Sequence, residues 1–521
     1  MAEPAFTANR RDPIKSAVGD AAASRRRQHA VTVAKERRES LMRAKRLCRV
    51  AIGSADGHAQ VPLDAEMLID QDQSILESQT SSAVEILKSA IDFQGKGAVK
   101  KRVGALQELR RLLSRSEFPP VDSALKAGAV PMLVQCLSFG SPDEQLLEAA
   151  WCLTNIAAGN PEETKALLPA LPLLIAHLGE KSSAPVAEQC AWAIGNVAGE
   201  GEELRNVLLI QGALLPLARM LLPDRGSTVR TAAWALSNLI KGPDPKAATE
   251  LIRVDGVLDA IIRHLKKADD ELATEVAWVV VYLSALSNIA TSMLVKSDVL
   301  ELLVNRLATS NSLQLLIPVL RSLGNLIAGD SHATYAVLIP GREITDNAIE
   351  VLVKCLNSEN RVLKKEAAWV LSNIAAGSVE HKQLIYSSEA VPLLLHLLSA
   401  APFDIRKEVA YVLGNLCVAP TKGDDKPSLI LEHLVSLVGK GCLPGFIDLV
   451  RSADIEAARL GLQFIELVLR GMPNGEGPKL VEQEDGIEAM ERFQFHENED
   501  LRTMANSLVD KYFGEDYGLG E

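Results

Sequence analysis

The chain has 521 residues, of which 47% are hydrophobic and only 4% aromatic, with a formal net charge of −12. Leu and Ala fill the apolar segments and alternating β-branched runs are few, which argues against a sheet-built fold and for helices. The charge is unevenly divided: residues 1–50 carry 13 Lys and Arg against 5 Asp and Glu, a net +8, so the remainder stands at −20. A basic arm is thus tethered to an acidic body, and the acidic surface nearest the arm belongs to its own chain.

The first 24 residues lack helical periodicity and an apolar signal-peptide core, and read as disordered. From Arg25 to Arg49 the text is rich in helix formers, with a basic residue on nearly every turn and a thin apolar stripe of Val31, Val33, Leu41, Met42 and Leu47. Such a stripe buries too little surface to hold a helix alone, so this helix is expected only when docked. A membrane-surface helix, an RNA-binding arm and a segment folding on an acidic partner all fit the residues. Residues 1–55 form the arm, and the Gly-, Asp- and Gln-rich residues 56–80 read as a flexible linker.

From residue 81 to 513 one pattern recurs. It is Ala-Trp-Cys-Leu-Thr-Asn-Ile-Ala-Ala-Gly at Ala150–Gly159, and it pairs Trp151 with Asn155 four residues on. The pair returns as Trp192 and Asn196, Trp234 and Asn238, Trp278 and Tyr282, Arg321 and Asn325, Trp369 and Asn373, and Tyr411 and Asn415. Successive steps are 41, 42, 44, 43, 48 and 42 residues. At this period the body holds about ten units. Each reads as a short helix, a second helix after a Gly-to-Pro turn (Ala127–Pro131, Gln211–Pro216, Lys440–Pro444, and Glu389–Pro392 without the Gly), and a longer third helix carrying the pair. Gly159, Gly199, Gly242, Gly329 and Gly377 are expected to stop the third helices. Three helices per unit and tight turns favour an all-α, right-handed solenoid of about ten armadillo repeats over HEAT repeats, with a long concave groove. Longer loops fall at 338–348 and 419–427, and residues 514–521 form an acidic tail.

The uncharged run Val276–Val295 approaches the roughly 20 residues that a membrane span needs. It keeps the repeat register and reads as buried helix. Seven Cys stand singly, without a CxxC pair, and read as buried thiols in a reducing compartment. No phosphate-loop, HExxH or GxSxG motif occurs and the nine His are dispersed, so no catalytic or metal-binding residue is assigned, no cofactor is expected, and the chain is not read as an enzyme.

Residues at i and i+4 share a helix face, so each third helix presents a ring and a carboxamide one turn apart. Stacked helices lie about 8–10 Å apart and an extended chain advances about 3.3–3.6 Å per residue, so each rung would meet a new peptide side chain every two to three residues. The carboxamide can both donate to and accept from main chain whatever its sequence, and a Trp face attracts ammonium and guanidinium groups. Glu148, Glu188, Glu275, Glu366 and Glu408 precede the rungs by three or four residues, which suits a Lys/Arg-rich ligand. Core packing is the bland alternative. Against it, all five Trp share one repeat position, and Asn, a poor mid-helix residue, recurs six times.

These features resemble the importin alpha family over nearly the whole chain, with the Trp278/Tyr282 and Arg321/Asn325 rungs and wording such as SNLIKGP and KEAAWVLSNIAAG carrying the match. The sequence looks most like a divergent plant subclass. The resemblance implies an adaptor for nuclear import, present in cytoplasm and nucleus and shuttling between them. A major groove for nuclear localisation signals would use Trp151, Asn155, Gly159, Thr164, Gln189, Trp192, Asn196, Glu200, Trp234 and Asn238, with Glu200 standing where the family has Asp. A minor groove would use Tyr282, Arg321, Asn325, Glu366, Trp369, Asn373, Glu408, Tyr411 and Asn415, with Tyr411 in the place of a Trp. The arm would bind importin beta through Arg25, Arg26, Arg27, Lys35, Arg37, Arg38, Arg43, Lys45 and Arg46, although Ala44-Lys45-Arg46 replaces the family's Lys-Arg-Arg. The implied partners are cargo proteins with basic signals, importin beta and an export receptor at the C-terminal repeats, without membrane or direct nucleic-acid binding. The competing reading is an armadillo scaffold that holds extended partners and carries no cargo.

Overall fold

The computed structural model describes residues 65–114, 119–224, 226–328, 334, 348–419 and 427–514, and every regular element among them is helical. The arm and its basic residues, the loop residues 338–347 and 420–426, and the tail from residue 515 lie outside the described residues. The chain divides into two compact units, whose described parts run over residues 65–293 and 294–514.

Ten long third helices recur among the described residues. In the first unit they are α1 (Ala98–Ser114), α2 (Asp143–Ile156), α3 (Ala184–Glu200), α4 (Gly226–Ile240) and α5 (Asp270–Leu286). In the second they are α6 (Leu313–Ile327), α7 (Arg361–Ala375), α8 (Phe403–Leu416), α9 (Ile455–Gly471) and α10 (Glu499–Phe513). Within each unit, every third helix packs on the next. Small residues before the ladder position make this possible: Ala149 and Ala150, Ala232 and Ala233, and Ala367 and Ala368 are fully buried. Side chains this small let neighbouring helices approach closely. Four third helices start on a side-chain cap, with Asp269, Asn360, Asp454 and Asn498 accepting from the amide three residues on. Each cap contributes about 1 kcal/mol.

The turn into the second helix needs a left-handed residue. Gly128 (φ 83°), Gly212 (83°), Gly256 (79°) and Gly441 (84°) supply it, at no steric cost because they lack Cβ. Glu389, in the variant turn, stays at φ −68° and leads directly into helix Ala390–Ala400.

Three expectations are corrected. Residues 65–80, read as linker, form the first part of helix Ala65–Asp92. Its polar composition hides an inward stripe of Thr80, Ala83, Val84, Leu87, Ala90 and Ile91, all buried. Gly199 does not stop its helix, because α3 continues to Glu200 and Gly201 breaks it with an extended backbone. The apolar run Val276–Val295 is two helices, α5 and Asn288–Val295, parted at an extended Ser287. No single helix among the described residues is long and apolar enough to cross a membrane, and the one apolar pair that would be, Leu429–Gly439 with Leu443–Val450, bends by 82° at a repeat turn. Cys136, Cys152, Cys190, Cys355, Cys417 and Cys442 are buried free thiols. Burial pushes Cys136 up to about 11 and Cys190 to about 12, so these thiols stay protonated.

Candidate functional site

The rungs are locked to one another by a repeating bond. Asn196 Nδ2 donates to the Thr154 carbonyl at 3.2 Å and Asn238 Nδ2 to the Gly195 carbonyl at 3.1 Å. In the second unit Asn373 Nδ2 donates to the Gly324 carbonyl at 2.9 Å and Asn415 Nδ2 to the Ser372 carbonyl at 3.1 Å. Each accepting residue stands just before the previous rung's Asn. Asn155 Nδ2 reaches Ser114 Oγ instead, at 2.9 Å. The amide therefore pins helix register, at about 0.5–1.5 kcal/mol net per bond, and all five of these Asn are buried.

The rings press on the same residues. A Cβ on Gly195 would fall 2.3 Å from Trp234 Cζ3, and one on Gly324 would fall 2.0 Å from Trp369 Cζ3. Ring and amide of one rung thus clamp a single residue of the rung before. Trp151 is the most open ring, 37% exposed, Trp192 and Trp369 are half-buried, and Trp234 and Trp278 are buried. Tyr282, at 1%, and Asn415, at 0%, present no surface and belong to the frame.

Where the ladder position holds another residue, that residue bonds a carboxylate of the next third helix. Arg321 Nη2 meets Glu366 Oε1 at 2.8 Å, both side chains buried. Tyr411 Oη donates to Glu456 Oε1 at 2.6 Å, and Lys407 Nζ pairs with both Glu456 (2.8 Å) and Asp454 (3.0 Å). The carboxylate at Glu188 is also engaged, accepting from Thr231 Oγ1 at 3.1 Å and Ser227 Oγ at 3.3 Å. Glu275 and Glu408 are half-buried.

Around α2 and α3 the expected contacts gather into two groups. Gln189 Nε2 donates to Thr154 Oγ1 at 2.8 Å, beside Asn196. At the end of α2, Thr164 Oγ1 donates to the carbonyls of Asn160 (3.0 Å) and Ala157 (3.4 Å), with Gly159 against the Glu163 side chain. Half-buried Glu200 closes α3. In the second unit Lys382 takes the corresponding place and plugs it. Its Nζ donates to the Ala375 carbonyl at 2.5 Å and the Asn415 carbonyl at 2.6 Å, and burial holds its pKa down to about 8.

Four ladder residues escape the sequence reading. Arg110 and Ser114 on α1 stand 41 residues before Trp151 and Asn155, and Arg459 and Gln463 on α9 stand 48 after Tyr411 and Asn415. Counting the period outward would have found them, but they carry neither Trp nor Asn. Gly195 and Gly324, the floors under Trp234 and Trp369, were visible only as Gly-Asn in place of Ser-Asn or Thr-Asn.

Consecutive three-helix units bearing one ladder on their third helices define an armadillo-repeat protein. The armadillo/beta-catenin-like repeat model matches residues 118–158, 344–376 and 378–418, and a HEAT-like repeat model matches 143–197. An engineered protein solved by crystallography, 24% identical, superposes with a TM-score of 0.70 over 82% of this chain and 98% of its own, which supports the fold. Importin subunit alpha-9 of Arabidopsis thaliana is 74% identical over all of both chains. Importin subunit alpha-2 of Oryza sativa subsp. japonica is 66% identical over 98% of this chain and 96% of its own. By contrast, importin subunit alpha-1b of Oryza sativa subsp. japonica is 30% identical over 79% of this chain and 76% of its own. The chain belongs to the importin alpha family of nuclear import adaptors, and it shares far more identity with the first two of these plant members than with the third.

Proposed function

We propose that the rungs Trp151 to Asn238 bind a Lys/Arg-rich nuclear localisation signal in extended form, and that the basic arm, residues 1–55, links this cargo to importin beta. Three consecutive Trp/Asn rungs within an acidic body, held in register by Asn196 and Asn238 bonding carbonyls and Asn155 bonding the Ser114 hydroxyl, carry the reading. Rings take the aliphatic stems and cationic heads of the signal, while the carboxamides order the helices that space the rings. Gly159, Thr164, Gln189 and Glu200 flank this stretch. The rungs Arg321 to Asn415, with Glu366, Glu408 and Tyr411, form a second and weaker stretch. An export receptor engages the C-terminal repeats, and the protein shuttles between cytoplasm and nucleus.

Tethering gives the arm an effective concentration in the millimolar range near its own body, so it competes with cargo. The test is titration of a labelled basic signal peptide into the full chain and into a variant lacking residues 1–64. A gain of tenfold or more on truncation supports competition by the arm. Equal affinities sink it. Failure of the full chain to retain importin beta in a pull-down favours the scaffold reading.

A further inference from the structure

The first ladder position is already occupied by a cation that the chain supplies itself. Arg110 reaches from α1 to α2, where its guanidinium carbon lies 4.4 Å from the centroid of the Trp151 ring. Its Nε meets Glu148 Oε2 at 2.5 Å, one turn before Trp151 on the same helix. Ring and carboxylate together make the socket that a ligand's Lys or Arg would fill. Arg110 and Glu148 are held in place: the Arg side chain is 26% exposed and the Glu 10%. The helix is fixed as well, since Ser114 Oγ donates to the Arg110 carbonyl at 2.8 Å and receives Asn155 Nδ2. The device recurs in the second unit, where Arg321 pairs with Glu366, three residues before Trp369.

We propose that Arg110 is a specificity-determining stop for the ladder: it covers the face of Trp151 that looks toward the first repeat, so the ligand's run of basic residues begins between Trp151 and Trp192 and gains nothing by extending past Trp151. This rests on the ladder being the basic-peptide site. A Lys or Arg beyond that point meets a like charge instead of an open ring and carboxylate. The body's acidic balance does not help such a residue, because the carboxylate nearest to it is already neutralised.

The test measures binding of three labelled peptides to the full chain by fluorescence anisotropy. One carries a five-residue Lys/Arg run, and two are lengthened by two residues ending in Arg, at one end or the other. Wild type and Arg110→Lys should gain less than twofold from either lengthening. Arg110→Met should bind the unlengthened peptide within twofold of wild type and gain about fivefold or more from one lengthened peptide, as a ring and a carboxylate become available. Because Arg110→Met orphans a buried carboxylate, Arg110→Met/Glu148→Gln serves as a second variant, with an expected gain of two- to threefold from the ring alone. If the folded variants show the wild-type ratio for both lengthened peptides, or wild type gains as much as they do, Arg110 is no stop. If the five-residue run binds wild type but Arg110→Lys behaves as Arg110→Met, its charge is irrelevant and the proposal falls. If the unlengthened peptide does not bind, or binds unchanged after Trp192→Ala, the ladder reading fails and this inference with it.

Discussion

Between Trp151 and Asn238 the ladder positions hold Trp and Asn three times over, and Trp151, with Arg110 over one face, is the most exposed of the rings. Between Arg321 and Asn415 they hold Arg, Trp and Tyr with the same Asn, and the polar groups turn inward. Arg321 is buried against Glu366, Tyr411 bonds Glu456, and Lys382 fills the carbonyl pocket at the ends of α7 and α8. One repeat therefore serves two ends. With Trp at the ladder position the next helix's carboxylate must find other partners, whereas with Arg or Tyr the frame satisfies it directly. The cost of the second arrangement is binding capacity, since a group already bonded within the frame must give up that bond to meet a ligand.

Mutations can break or sharpen this contrast. The largest effect is expected at Arg321→Met, which removes the buried cation paired with Glu366 and should cost about 3–5 kcal/mol in denaturant unfolding, with peptide affinity at the first stretch unchanged. Asn196→Ala/Asn238→Ala should weaken a basic signal peptide about 100-fold, near 2.7 kcal/mol, while Asn373→Ala/Asn415→Ala costs less than threefold. Both pairs lose register bonds, so their melting temperatures should fall alike, and equal affinity losses would erase the distinction. Gly195→Ala and Gly324→Ala should each destabilise by about 1–3 kcal/mol by driving a methyl into Trp234 or Trp369. Only the first should also weaken the peptide, as read by calorimetric titration.

Lys382 gives a pH signature to the second stretch. The unfolded chain keeps this proton up to the ordinary 10.5, the folded chain only up to about 8. Unfolding takes up a proton between those values, so stability should rise with pH across that window. Lys382→Met should remove this component of the slope in urea titrations at pH 7.5, 9 and 10.5. The smallest effect is expected at Tyr411→Phe, about 1 kcal/mol from the lost bond to Glu456, without change in peptide affinity.

Much of this was legible in residue order. The 41- to 48-residue period, the Gly turns and the single repeat position shared by all five Trp follow from sequence alone, because a stacked repeat must place equivalent residues at equivalent spacing. The helix at residues 65–80 was missed because polar residues dominate that stretch and the buried stripe of the same helix begins only at Thr80. Arg110, Ser114, Arg459 and Gln463 were missed because they keep the register without keeping the residue type.

By itself, then, the sequence determined that this is a ladder of repeats and which residues stand on its rungs, since periodicity is a one-dimensional property. Only the tertiary structure decided what each rung's polar groups bond. The amide of Asn196 is spent on the Thr154 carbonyl 42 residues away, Arg110 on Glu148 and Trp151, and Arg321 on Glu366. Those partners lie one repeat apart in the chain and side by side in space, and which of several nearby acceptors a side chain takes depends on distance and burial that spacing alone does not specify.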